Sequence, residues 1–306
     1  MLKTRKELLS GEKKEMRWLV QDVIPYMEKP IMISGCPGSG KSLLGYQLAS
    51  QVAYGTDFLG HSTKQYNTLY ISYEDDETEL AYRSQQSEKK INPDGAEGNC
   101  YVMTVDYTFE LTTTKGGKIT KGKDYDQLVQ DITSNNIKLV IIDHLSKIYS
   151  GDENNRGQVN DFGNFLYQLC KEAQCMLIIL AHTNKTDNQY SGSSANAGIY
   201  RMAFLLTYSK SNDERTFSLI KSNITKNIKP IKYIIDDDLF CCPVHIIDTQ
   251  ALETGKLYTR EELCTIAGED MNTRTFATFA AMNNLIKQPQ RKKIKGVLKT
   301  VYIKGE

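Results

Sequence analysis

Hydrophobic positions along the chain recur alternately with a period near two and a period near 3.6, the mark of strands followed by helices. The run "KPIMIS" reads as a short strand starting after Pro30. "SLLGYQLASQVAYG" then places Leu43, Leu44, Leu48 and Val52 at helical spacing as far as a stop at Gly55. "NTLYISYE" (67–74) predicts a strand, "ETELAYRSQQSEKK" (77–90) a helix and "CYVMTV" (100–105) another strand. "DYDQLVQDITSNN" is helical, as is "VNDFGNFLYQLCKEAQ". "IKLVIID" (137–143) and "CMLIILAHT" (175–183) are continuous apolar runs, as strands covered on both faces require. This alternation predicts an α/β core with a mostly parallel sheet and crossover helices.

Two stretches depart from that rhythm. "LTTTKGGKITKGKD" (111–124) is polar and glycine-rich, an exposed loop or small hairpin. From "MAFLLTYSK" through "TFSLIKSN" and "KYIIDDDLF" to "CCPVHII", strand-like runs follow one another and read as hairpins extending the sheet edge. "DTQALETGK" reads as a linker. After it, "YTREELCTIAG" and "NTRTFATFAAMNNLI" are short amphipathic helices with Thr259 and Thr273 as candidate caps, and the basic "KQPQRKKIKGVLKTVYIKG" completes a winged-helix-like pattern. Such modules bind DNA or proteins. The expected division is a charged arm over 1–16, the large α/β core over 17–248, and linker plus winged-helix-like module over 249–306.

A chain of 306 residues, 40% hydrophobic and 25% charged, can bury a sizeable core. No apolar run approaches the ~18 residues of a membrane span, and "MLKTRKELLSGEKKEMR" has no apolar signal region, so a cytoplasmic protein with no membrane partner is expected. The seven cysteines form no CxxC pair and no zinc spacing, which predicts reduced, mostly buried thiols. A net charge of +1 by itself predicts no nucleic-acid partner. Its distribution says more: residues 251–306 hold ten of the 38 Lys and Arg but six of the 37 Asp and Glu, a net +4 that leaves −3 for residues 1–250.

The chemistry begins at "ISGCPGSGKS", where Gly35, Gly40, Lys41 and Ser42 have the spacing of a P-loop between a strand and a helix. Glycines let a tight loop turn its N–H groups toward phosphates, so Gly35, Pro37, Gly38, Ser39, Gly40, Lys41 and Ser42 are expected to cradle ATP. Lys41 would reach the β- and γ-phosphates, and the Ser42 hydroxyl would coordinate Mg²⁺. Asp143 closes the strand "LVIID", where a carboxylate can hold the Mg²⁺ water shell. Glu74, in "YEDDE" after the strand next to follow the P-loop, is the candidate to activate water at the carboxyl edge. Asp75 or Asp76 could share that role or contact Mg²⁺, and all three also suit an acidic helix start. His182, at the end of the strand in "MLIILAHTNK", is placed to sense the γ-phosphate.

Taken together, "ISGCPGSGKSLLGYQLASQVAYGTDFLG", "TLYISYEDDETELAYR", "LVIIDHL", "LAHTNK", "SGSSANAGIYR" and "SLIKSN" resemble the RecA-type ATPases of the RepA hexameric helicase group of plasmids and other mobile elements, over about residues 17–225. "RWLV" ahead of the first strand fits the same pattern. The resemblance implies a RecA-like P-loop core, a homo-oligomeric ring, and catalytic roles for Glu74, Lys41 and His182. It further implies that Arg201 is an arginine finger reaching a neighbour's nucleotide, with Lys221 as a second cation at that nucleotide. Helicases of the DnaB group have a lysine and an arginine two apart at the corresponding strand; this chain has Lys221 and Asn223, which favours the RepA-like branch. Channel-facing loops implied for single-stranded DNA are "HLSKIYSGDENNRGQ" and "TNKTDNQYSGSSAN", with Lys147, Arg156 and Lys185 for phosphates and Tyr190 for a base. The winged-helix-like tail departs from the compact RepA pattern.

The leading expectation is an ATP-dependent DNA helicase in replication of a mobile element, with replication proteins as possible partners. The alternatives are a RecA-fold DNA-binding ATPase that does not unwind, such as a loader or recombination mediator, and a nucleotide or small-molecule kinase. A kinase usually covers the phosphates with an arginine-rich lid, and no such segment is found in this sequence.

Overall fold

In a computed structural model, the structure describes residues 2–10, 15–106, 108–152, 154–183, 198–211, 213–225, 228–244, 256–267, 280, 285–294 and 297–304. A short helix α1 (Arg5–Leu9), closed by a capping box between Thr4 and Glu7, precedes a hairpin of β1 (Trp18–Val20) and β2 (Ile24–Pro25). Then come β3 (Pro30–Gly35), α2 (Lys41–Tyr54), β4 (Asn67–Ser72), α3 (Glu77–Ile91) and β5 (Cys100–Thr104). A hairpin of β6 (Thr112–Lys115) and β7 (Lys118–Lys121) leads to α4 (Tyr125–Ser134), β8 (Ile137–Asp143), α5 (Leu145–Ile148), α6 (Arg156–Ala173) and β9 (Met176–His182). The core closes with β10 (Met202–Ser209), β11 (Glu214–Ser222), β12 (Ile231–Ile235) and β13 (Cys241–Pro243).

One nine-stranded sheet runs in the order β13-β12-β11-β10-β3-β9-β8-β4-β5. The pairs from β10 to β5 are all parallel, and β11, β12 and β13 are added antiparallel at one edge. The expected mostly parallel α/β sheet is therefore present. Along β8 and β9, Leu139, Ile141, Ile178 and Leu180 pack on one face with Leu44, Leu48 and Val52 of α2 and Leu80 of α3. Val140, Ile142, Leu177 and Ile179 pack on the other with Leu128 and Ile132 of α4 and Val159, Phe162 and Leu166 of α6. Two buried faces explain why these strands are apolar throughout rather than alternating.

Register sets the level of every functional candidate. Gly35 pairs with His182, Leu180 with Asp143, and Asp143 with Ser72, so the carboxyl ends of β3, β9, β8 and β4 come out side by side.

Several boundaries differ from those expected, each for a local reason. Strand β4 stops at Ser72, leaving Tyr73 and Glu74 in the turn before α3. Helix α6 starts at Arg156 because the Asn155 carboxamide accepts from the N–H groups of Gly157 and Gln158. "KYIIDDDLF" is not one strand: Asp236 Oδ1 accepts from the N–H groups of Asp238 and Phe240, both at 3.0 Å, and turns the chain into β13. The 111–124 segment is a hairpin, with Gly116 and Gly117 at φ +57° and +75° in its turn.

Near the C-terminus, β14 (Tyr258–Thr259), α7 (Arg260–Ala267), β15 (Leu285–Ile294) and β16 (Val297–Lys304) form a three-stranded sheet in the order β14-β16-β15 with one helix. Tyr258, Leu263, Cys264, Ala280 and Leu285 make its small core. Thr259 caps α7 as expected: its hydroxyl accepts from the Glu262 N–H, and the Glu262 carboxylate accepts from the Thr259 N–H at 2.7 Å. The expected second helix and its Thr273 cap lie outside the described residues, except that Ala280 is helical and Leu285 and Ile286 belong to β15. All seven cysteines are free thiols, and among the described residues no helix is long and apolar enough to cross a membrane.

The antiparallel extension is anchored by Phe217, fully buried and stacked on Phe204 at 4.5 Å between ring centroids, with Phe58 edge-on at 6.4 Å. Phe217→Ala should destabilise the core by about 3–5 kcal/mol, the cost of an aromatic deletion that leaves a cavity. Urea unfolding checks this, and a loss below about 1 kcal/mol would show that β11 is not held from this side chain.

Candidate functional site

Strand β3 delivers the chain at Gly35, where no side chain fits: a Cβ there would lie 2.7 Å from the Leu206 carbonyl oxygen and 2.9 Å from Ser39 Oγ. Gly38 and Gly40 take φ of +75° and +93°, which L side chains rarely adopt. Gly40 is the N-cap of α2 and offers no side-chain cap, so the first N–H groups of the helix face outward for an anion. Ser39 is buried, and its Oγ has no hydrogen-bond partner among the described residues. Pro37 and Gly38 form the exposed crown of the loop.

The Lys41 ammonium is buried against this loop, donating to the carbonyls of Gly35 and Cys36, both at 3.0 Å, with His182 Nδ1 at 3.3 Å. Burial pulls its pKa below the usual lysine value, opposed by the negative charge of Asp143. Asp143, 2% exposed at the end of β8, accepts a 2.8 Å hydrogen bond from the Tyr70 hydroxyl, which also lies 3.3 Å from the Ser42 carbonyl oxygen. Burial, reinforced by Asp143, holds the Tyr70 pKa well above that of a free phenol, so Tyr70 stays a donor. It ties the Asp143 carboxylate to the start of α2.

On the far side of Asp143, Glu74 Oε1 lies 2.9 Å from His144 Nε2, and Ser146 Oγ lies 3.1 Å from His144 Nδ1. The His144 and His182 rings meet edge to face, 4.7 Å apart. Burial lowers the His182 pKa, and the Lys41 ammonium lowers it further, so His182 is held as a neutral acceptor for Lys41. Ligand atoms of Glu74, His144 and His182 all fall within 4.8 Å of one another.

The fold thus brings together the loop residues Gly35 to Ser42 with Glu74, Asp143 and His182. Asp75 and Asp76 have other partners. Asp75 forms a bidentate pair with Arg83, one bond at 2.8 Å, and Asp76 is the N-cap of α3 in a capping box with Glu79. Two cations are elsewhere. The Arg201 N–H donates to the Pro30 carbonyl, and Lys221 sits opposite Ala203 with its Nζ donating to the Tyr200 carbonyl at 2.7 Å. Both therefore lie at the amino edge of the sheet, about 17 Å of strand away from Gly35. Within one chain neither is placed at the P-loop. Lys147 is exposed on α5 and Arg156 is exposed as the first residue of α6, so both belong to helices rather than to a free loop. Lys185, Tyr190 and most of "SGSSANAG" lie outside the described residues.

Three residues were not anticipated. His144 and Tyr70 carry no motif signal, since one follows Asp143 and the other lies inside an apolar strand. Arg215, at the start of β11, packs its guanidinium on the Tyr208 ring and brings Nε within 3.7 Å of where a Gly40 Cβ would be. Only the pairing of β11 with β10 puts this cation beside the loop.

The buried lysine, the orphan Ser39 hydroxyl, the positive-φ glycines and the buried Asp143 carboxylate fit a nucleotide phosphate chain with Mg²⁺. A family model described as an AAA domain matches residues 2–188, and the chain belongs to that family: it carries a P-loop ATPase domain. No curated protein matches the chain.

Phosphate binding and turnover draw on different groups here. Lys41→Ala should abolish tight nucleotide binding, whereas Glu74→Gln should bind a nucleotide analogue normally and lose turnover by roughly 10²-fold. Fluorescent-nucleotide titration and steady-state phosphate release separate the two, and normal turnover of Glu74→Gln would remove that carboxylate from the chemistry.

Proposed function

We propose that this chain is a subunit of a hexameric, ATP-hydrolysing, DNA-dependent ring helicase of the RepA type, acting in replication of a plasmid, phage or other mobile element. In this reading Lys41 and the loop N–H groups hold the triphosphate, Ser42 and Asp143 would hold Mg²⁺, Glu74 orients and deprotonates the attacking water, and His182 senses the γ-phosphate. Mg²⁺, when bound, neutralises charge on the phosphates.

One observation carries the oligomeric part. Arg201 stands at the edge of the sheet opposite its own P-loop, and its buried Nε has no hydrogen-bond partner among the described residues. A cation so placed is of no use to its own nucleotide but suits a finger completing the site of a neighbour, with Lys221 beside it. The exposed Lys147 and Arg156 supply phosphate contacts for single-stranded DNA, and the C-terminal sheet with α7 supports a winged-helix-like module that carries the basic excess.

Mixing two nearly inactive variants tests the ring. Arg201→Ala should fold, bind ATP and hydrolyse it on the order of 10³-fold more slowly. Lys41→Ala subunits still present Arg201, so mixed oligomers contain complete interfaces and activity should reappear. No recovery at any ratio, with mixed oligomers confirmed by native mass measurement, would reject a finger in trans. Directional strand displacement separates the helicase from an ATPase that does not unwind.

Deleting residues 251–306 should weaken DNA binding and flatten its salt dependence while leaving basal hydrolysis largely intact. An unchanged salt slope would assign the module to protein recruitment.

A further inference from the structure

We propose that His144 is a positioning residue for hydrolysis: its imidazole fixes the Glu74 carboxylate for attack by water and joins it to His182 and Lys41 on the phosphate side. This rests on the reading of Glu74 as the base.

Glu74 needs such a restraint. It lies beyond the end of β4, in the turn before α3, and its side chain is 50% exposed. A glutamate there gives up rotamer freedom when held in one geometry. His144 differs in every respect. Its side chain is 7% exposed, it follows the last residue of β8 directly, and both ring nitrogens are engaged at 2.9 and 3.1 Å. The rigid, buried partner restrains the exposed, flexible one.

The Glu74 contact sets which ring nitrogen donates. An ionised carboxylate only accepts, so Nε2 must carry the proton that it donates to Glu74 Oε1. Nδ1, on the opposite side of the ring, is engaged by the Ser146 hydroxyl at 3.1 Å. The ring is thus oriented from behind, in the way that an outer hydrogen bond orients a metal-bound histidine.

Its position also gives it two neighbours in the site. His144 shares a peptide bond with Asp143, and its ring packs on His182, whose Nδ1 is 3.3 Å from Lys41 Nζ. The run Lys41, His182, His144, Glu74 is therefore a continuous set of contacts from the phosphate loop to the carboxylate. When Lys41 turns to the phosphates, His182 loses that donor, and the ring packed against it is the one holding Glu74.

The test compares turnover and binding in single and double variants of the full chain. His144→Ala should lower kcat roughly tenfold to a hundredfold, the loss typical of removing an orienting partner, with KM for ATP and analogue affinity unchanged. His144→Gln, which can present an N–H near the Nε2 position, should recover part of that loss. In the Glu74→Gln background, His144→Ala should cost nothing more, because a histidine acting only through Glu74 has no further effect once that carboxylate is gone. Unchanged kcat in His144→Ala, a loss seen in KM alone, or a full additional loss on top of Glu74→Gln would overturn the proposal. Normal turnover of Glu74→Gln itself would instead remove the base assignment beneath it. A slow Glu74→Gln beside a fully active His144→Ala would remove the positioning role alone.

Discussion

Burying an ammonium costs several kcal/mol unless acceptors replace its water, and at Lys41 two carbonyls and an imidazole nitrogen do so. Much of the carboxyl edge follows from that requirement. The Gly35 and Cys36 carbonyls can turn toward Nζ only because the chain leaves β3 in a tight loop, and Gly35 can be followed by that loop only because β10 finds no side chain in its way. His182 is the third acceptor because β9 pairs with β3 in a register that sets it level with Gly35. The loop carbonyls hold the lysine in place and leave N–H groups at the start of α2 facing outward. An incoming phosphate chain then competes for a charge already delivered to the right place, so little of its binding energy goes into ordering the loop.

The same constraint spreads the remaining groups along a line. Because β9 lies between β3 and β8, the P-loop strand and the Asp143 strand stand two strand spacings apart, about 10 Å, with His182 between them. Glu74 comes from the next strand out. The phosphate loop, the His182 imidazole, the Asp143 carboxylate and Glu74 thus lie at or just past successive strand ends, separated by distances that backbone pairing enforces rather than by side-chain packing.

Period and spacing carried much of this arrangement in advance. The apolar runs 137–143 and 175–183, the helix ending at Gly55 and the P-loop glycines are local patterns, and they appear where local physics places them. Strand order is not local. Nothing in the succession β3, β4, β8, β9 says that the last inserts beside the first, so the proximity of His182 to Lys41 had to come from pairing. Arg215 was invisible for the same reason, since it reaches Gly40 only through an antiparallel hairpin. The break in "KYIIDDDLF" was missed because period-two alternation continues across it while the Asp236 side chain redirects the backbone. At the amino edge, burial lowers the Lys221 pKa and the nearby Arg201 charge lowers it further, an unfavourable juxtaposition that no periodicity reports. Two cations held close together in partly buried positions raise the energy of the isolated subunit, and an anion supplied from outside would relieve it.

The acidic stretch "YEDDE" shows how structure separates residues that sequence presents as equivalent. Asp75, just ahead of α3, is committed to Arg83 of that helix in a two-bond pair, and Asp76 is committed to the first turn of α3, where its carboxylate satisfies the Glu79 N–H. Both are thereby fixed in geometries that serve α3, and freeing either would leave an arginine or a helix end without its partner. Glu74 has no such duty to the fold. Its hydrogen bond goes across to His144, just past the end of β8, and half of its side chain remains open to solvent. Of three adjacent carboxylates, only this one can change its contacts without loosening the helix behind it, and the proposed role of meeting water and taking its proton needs that freedom.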